Sequence, residues 1–216
     1  VFHGKAVEIL ASLDRGCAIA RSVAGKDINK LSIGTIYPAT FSVLSSFLSK
    51  IGKKFPETEI HIQSGTTDSI IRDLELGTLN LGFIRPHEKI GSLRYSAITQ
   101  ERWLLAVSNS SELAKEKTIN LETLRSQKII SFHRPNLSAT QKYFFEEFKK
   151  ADLLDSISYT CSDTLSLISL VASGIGVGFV PEWVANLPLQ NFTLINVKNI
   201  DIKVGMGIAW SKEDPT

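Results

Sequence analysis

Apolar positions along the chain switch between two periods. Leu31, Ile33 and Ile36, with β-branched neighbours, have the character of a short buried strand. Phe41, Val43, Leu44, Phe47, Leu48, Ile51 and Phe55 then recur at helical spacing. From Glu59 to Gln63 polar and apolar residues alternate, as in a strand. Pro38 to Thr40 supplies a turn and a helix start, because Pro is pre-set for a first helical position and a Thr hydroxyl caps free N–H groups. Pro56 stops the helix. Residues 31–65 therefore predict one β-α-β unit, which needs a parallel sheet and a right-handed crossover. Its helix N-terminus leaves the carboxyl end of a strand, where open α/β sheets bind ligands.

The pattern then recurs. Thr66, Thr67 and Asp68 cap a predicted helix from Ser69 to Leu76, Gly77 closes it, and residues 79–84 form a third strand. Two consecutive units in the same sense predict a doubly wound parallel sheet. Arg85 to Gly91 reads as a loop. Residues 93–98 and 103–107 read as strands separated by a turn at Gln100, Glu101 and Arg102. Residues 108–117 read as irregular, 121–124 as one helical turn, and 128–132 as a strand. His133 to Ser138 repeats the first turn's logic, with Pro135 ahead of a helix over 139–150 that buries Phe144, Phe145 and Phe148. A strand at 157–161, a helix at 165–173 capped by Ser162, Asp163 and Thr164, a glycine-rich turn and strand at 174–180, a helical turn at 181–184, and strands at 192–197 and 203–210 complete the chain. The expected fold class is α/β. Two Rossmann-like lobes, 31–108 with 195–216 and 109–194, are joined by two crossover strands near 107–110 and 191–199. Ligand pockets favour the cleft between such lobes.

Residues 1–26 predict a helix of another kind. Ala6, Leu10, Leu13, Cys17, Ala20 and Ala24 fall at intervals of four and three, the a/d seam of a helix that pairs with another helix. The same spacing also suits a surface helix packed on its own domain. Residues 25–30 form a hydrophilic linker, and both ends of the chain read as cuts in a longer protein.

Composition narrows the function classes. A chain of 216 residues is long enough for a substantial core, and 43% hydrophobic with 21% charged residues is ordinary for a globular protein. A formal charge of +2 is too small for a nucleic-acid surface. Cys17 and Cys161 lie far apart with no C-x-x-C, which fits buried thiols in a reducing cytosol. There is no apolar run long enough to span a membrane and no signal-peptide core at the N-terminus.

The candidate chemistry is that of binding. Thr40, Thr66, Thr67 and Ser138 stand at predicted helix starts. Plain capping explains each of them singly. Taken together, three helix starts at one cleft form an anion site from free N–H groups and dipole ends, hence an expected carboxylate-bearing ligand. Arg85 follows a strand end and suits either a bidentate carboxylate contact or an ion pair with Glu88 or Glu101. His61 and His133 lack ligand-spaced partners, so no metal site is expected. Gly174, Gly176 and Gly178 follow a helix and precede a strand, the reverse of the nucleotide fingerprint. No nucleophile–base constellation is evident, so catalytic residues and cofactors are not expected.

The order of motifs resembles the LysR-type transcriptional regulators. The resemblance rests on the heptad helix and linker, the Pro38–Thr40 helix start, Phe55-Pro56, Gly65-Thr66, and Leu79 to Phe83 before Arg85. It rests most on the run from Leu170 to Pro181. It covers 2–211 and implies an effector-binding domain of periplasmic-binding-protein-like fold. The effector would be held between the lobes by Tyr37, Pro38, Ala39 and Thr40, by Gly65, Thr66 and Thr67, and by Pro135, Asn136, Leu137 and Ser138. Pro38 stands where many relatives carry a hydroxyl, which Thr40 would replace unless the pocket is altered. The resemblance also implies a homodimer or tetramer formed through helix 2–25, helix 41–55 and strand 59–64. DNA would be contacted through an upstream winged helix-turn-helix outside this chain. Gly82 to Arg85 and Arg134 to Ser138 look most like the branch that governs aromatic-compound degradation. The alternatives are a monomeric periplasmic-type solute-binding protein and, last, a cleft enzyme such as a transferase or decarboxylase.

Overall fold

The computed structural model describes residues 30–87, 90–132, 139–188 and 191–212. Helix 2–25 and the loop carrying Pro135, Asn136, Leu137 and Ser138 lie outside these residues. The chain divides into two units, with boundaries between Gln100 and Glu101 and between Val204 and Gly205. In chain order the elements begin β1 (Lys30–Thr35), α1 (Tyr37–Ser42), α2 (Leu44–Lys54), β2 (Glu59–Ser64), α3 (Thr67–Glu75), β3 (Leu81–Ile84) and β4 (Leu93–Ser108). They continue with β5 (Thr118–Ile119), β6 (Ile129–Phe132), α4 (Ala139–Lys150), β7 (Ile157–Cys161), α5 (Thr164–Ala172), β8 (Gly178–Pro181), β9 (Phe192–Val197) and β10 (Lys203–Ser211). Among the described residues no helix is long and apolar enough to cross a membrane.

The first unit is built on the expected parallel sheet. β1 pairs in parallel with β2 on one side and β3 on the other, and β10 runs antiparallel beside β3. Gly34 and Gly82 are cross-strand partners. A Cβ on Gly34 would meet Ile70 at 2.9 Å, and one on Gly82 would meet Ile70 at 2.5 Å, so bare backbone lets α3 lie close to the sheet. Phe83 points to the opposite face and meets Phe47 of α2 edge-on, with ring centroids 5.3 Å apart. Helices therefore cover both faces, as a doubly wound sheet requires. Ile33, Ile70, Leu74, Phe83 and Ile84 are fully buried, each contributing about 1.5–3 kcal/mol by area.

Two expected elements differ. The helix expected over 41–55 is two helices, α1 and α2, broken at Val43. Thr40 Oγ1 donates to the Ile36 carbonyl at 3.3 Å and Ser42 Oγ to the Pro38 carbonyl at 2.6 Å. Such back-bonding competes with the helical ladder and bends it. The two strands expected at 93–98 and 103–107 are one 16-residue strand, β4. Its polar centre stays in the strand because the backbone is part of the sheet, with β10 and β9 as neighbours, and Arg102 Nη2 lies 2.9 Å from Glu182 Oε1 there. The unit boundaries fall inside β4 and β10 rather than near 107–110 and 191–199. Unbroken strands carry the chain across, so no turn residue marks the place.

The second unit is a mixed sheet. β4 from Trp103 onward pairs antiparallel with β8 and with β9, and β5 pairs in parallel with β9. β6 and β7 are parallel, and Ile129 bridges to Val177 just ahead of β8. The glycine-rich run is structural. Gly174 takes φ +76° at the end of α5, and a Cβ on Gly176 would strike the Lys128 carbonyl of the chain entering β6. Asp163 caps α5 by accepting the Ser166 N–H at 2.9 Å. The core gathers Leu105, Leu124, Ile129, Phe144, Phe148, Leu153 and Phe179.

Candidate functional site

Of the expected ligand-facing residues, those of the first unit follow three neighbouring strand ends. Thr35, the last residue of β1, stands opposite Ser64 of β2 and opposite Phe83 of β3. Tyr37 to Thr40 follow β1, Gly65 to Thr67 follow β2, and Arg85 follows β3. The sheet thus brings the three segments together at its carboxyl edge. The Gly65 N–H donates to the Thr35 carbonyl at 3.0 Å, tying the first two segments. The Arg85 N–H donates to Thr67 Oγ1 at 3.2 Å, tying the last two.

The first segment differs from its expected form. Thr40 does not cap a helix; the cap position is Ile36, which offers no side-chain acceptor, and Tyr37 and Pro38 open α1. The Thr40 N–H is already spent on the Ile36 carbonyl at 3.1 Å, and its hydroxyl lies 3.2 Å from that of Thr35. The hydroxyl pair Thr35–Thr40 replaces the expected cap. Tyr37 is half exposed, whereas Ala39 is buried. An α1 of six residues supplies little dipole.

The second segment holds the expected cap. Thr66 Oγ1 accepts the Ser69 N–H at 3.2 Å and Ser69 Oγ accepts the Thr66 N–H at 3.0 Å, a reciprocal capping box. Asp68 in the first turn of α3 lies 3.0 Å from His87 Nε2. This carboxylate places negative charge beside the helix start. Arg85 Nη1 donates to the Gly205 carbonyl at 3.1 Å, which anchors the guanidinium over β10.

Tyr95 was not legible as a site residue. Burial pushes its phenol up, and the positive charge of Arg85 partly offsets that. Its buried Oη has no hydrogen-bond partner among the described residues. Alternation along β4 placed Tyr95 on one face, but nothing in the sequence brought it near Arg85.

Two cavities are lined by described residues of the second unit. A polar one of ≈ 150 Å³ is lined by Asn120, Glu147, Lys150 and Lys198 among others. Its Lys150 and Glu147 already pair at 2.6 Å, so its charges are internally balanced. The other, of ≈ 160 Å³, lies between α4 and strands β4, β6, β7 and β8.

This fold and these motifs have relatives. The HTH-type transcriptional regulator TtuA of Agrobacterium vitis is 28% identical over 197 residues, 89% of this chain and 65% of that protein. AlsR of Bacillus subtilis, also an HTH-type transcriptional regulator, is 23% identical over 205 residues, 95% of this chain and 68% of the regulator. The chain thus spans about two thirds of the length of these curated relatives. Among solved structures, CbnR, a LysR family transcriptional regulator, has a TM-score of 0.75 at 23% identity, covering 100% of this chain and 74% of that one. The BenM effector binding domain with its effector benzoate has a TM-score of 0.70 at 19% identity, covering 87% and 85%. The effector binding domain of QuiR in complex with shikimate has a TM-score of 0.68 at 18% identity, covering 86% and 88%. These likenesses show the fold, the periplasmic-binding-protein-like one of LysR effector-binding domains. The sequence profile of the LysR substrate binding domain matches residues 24–216, and the chain belongs to that family.

Proposed function

We propose that this chain is the effector-binding and oligomerisation part of a cytoplasmic LysR-type transcriptional regulator that senses a small organic acid. The observation that carries the reading is the alignment of three strand ends in one parallel sheet, which puts Thr40, Thr66, Thr67 and Arg85 at a common edge. Hydroxyls, the first-turn N–H groups of α3 and a guanidinium together suit a carboxylate. Tyr37, Pro38, Ala39 and Gly65 contribute backbone there. Relatives named as transcriptional regulators favour this reading over a transport-type solute-binding protein.

The mechanism is differential affinity. An effector that binds one arrangement of subunits better shifts the population toward it, and the family's winged helix-turn-helix, outside this chain, carries that shift to DNA. Self-association would use β2, the outermost strand of its sheet among the described residues. All but one of its six residues are exposed, and Ile62 is 41% exposed. An uncovered edge strand of this kind is a template for pairing with a second copy.

A thermal-shift screen of aromatic and aliphatic acids, each against its amide, tests the ligand class. At least one acid should raise the unfolding midpoint while its amide does not, with about 2.7 kcal/mol of stabilisation at a hundredfold excess over Kd. No response to any acid, or equal responses to acid and amide, would overturn the reading.

A further inference from the structure

The ≈ 160 Å³ cavity of the second unit has an aromatic wall. Trp103 meets Phe132 edge-on with ring centroids 5.9 Å apart and Phe144 at a tilt at 5.4 Å. Phe144 in turn lies 4.6 Å from Phe179. Rings presented at such mixed angles offer both faces and edges, the two surfaces another aromatic ring packs against. One side of the cavity is polar: Ser131 of β6 and Thr160 of β7 both line it and are cross-strand partners, so their hydroxyls stand together. The buried indole Nε1 of Trp103 is a donor with no acceptor among the described residues.

The volume sets the size of the occupant. An apolar cavity of about 150 Å³ stays dry and holds one benzene ring. The space lies beside six aromatic side chains and opens to solvent past the exposed Phe145 and Thr160, so a ring can enter and pack on them. We propose that this cavity binds a small molecule carrying a single aromatic ring with a hydroxyl-sized polar substituent directed at Ser131 and Thr160. None of its lining residues belongs to the strand-end site of the first unit. The argument for this cavity uses only residues of the second unit and does not rest on the carboxylate reading.

Phenol is the probe, because it has the ring and the hydroxyl but no carboxylate; cyclohexanol, of similar size, is the non-aromatic comparison. Titration of the whole chain is followed by the indole N–H resonance that Trp103→Phe removes. Phenol should move that resonance saturably with a Kd of about 1 mM or tighter, and cyclohexanol should bind at least about fivefold more weakly. Ser131→Phe, which fills the cavity, should abolish the phenol response while keeping the unfolding midpoint. If that variant fails to fold, Thr160→Phe at an exposed position carries the same expectation. No saturable shift with phenol, an equal response to cyclohexanol, or undiminished phenol binding in a folded filled variant would overturn the proposal.

Discussion

The backbone N–H of Arg85 donates to the hydroxyl of Thr67 across 3.2 Å, joining the end of β3 to the first residue of α3. One side chain thereby fixes the direction in which the Arg85 segment leaves the sheet. Thr67→Val keeps the shape and deletes the acceptor, leaving a part-buried N–H unsatisfied. It should cost about 1–2 kcal/mol in denaturant unfolding, whereas Thr67→Ser should be close to neutral.

The two capped helices should part company in acid. Thr66→Ala removes an uncharged cap and should cost about 1 kcal/mol with little dependence on pH. The Asp163 carboxyl is held below its ordinary value of 3.8, chiefly by the N–H and then the hydroxyl of Ser166. A lowered carboxyl stabilises the fold above its unfolded pKa and loses that contribution as pH falls through the folded one. The stability gap between wild type and Asp163→Asn should therefore be present at about pH 7 and shrink below about pH 4, read as urea midpoints across that range.

Glycines separate by what surrounds them. A Cβ at Gly52, in the exposed interior of α2, meets nothing within 4 Å, so Gly52→Ala should stabilise by about 0.5–1 kcal/mol. Gly176→Ala would press on the Lys128 carbonyl, a backbone atom that cannot swing away. It should destabilise by about 1–3 kcal/mol. Thermal denaturation of the two variants reads both signs.

Much of the fold was legible because its signals are local. Alternation at 59–63, helical spacing at 67–75, the capping residues Thr66 and Asp163, and the turn glycines Gly77 and Gly174 each act over a few residues. What was not legible depends on distant partners. Arg102 looked like a turn residue, but sheet neighbours distant in sequence, β10 and β9, keep β4 extended through it. The site divides in the same way. The strand-then-helix order marks the segments at 37–40 and 65–67, and the end of a strand marks Arg85. The spending of the Thr40 groups on Ile36 and Thr35, and the approach of Tyr95 to Arg85, arise only when the chain is folded.

The exposed edge of β2 predicts an association defect. Ile62→Lys puts a charge on that edge without touching the core, so the unfolding midpoint should change little. Sedimentation velocity should show a higher proportion of monomer than in wild type.

The central claim is that Arg85, at the end of β3, recognises the carboxylate of an effector. Isothermal titration of the acid found by thermal shift, into wild type and into Arg85→Gln, tests it most directly. Loss of a charge-assisted contact should weaken binding at least tenfold in the variant, about 1.4 kcal/mol, while loss of the Arg85–Gly205 hydrogen bond lowers the unfolding midpoint of the free protein modestly. Equal affinity for the acid in wild type and Arg85→Gln would contradict the account.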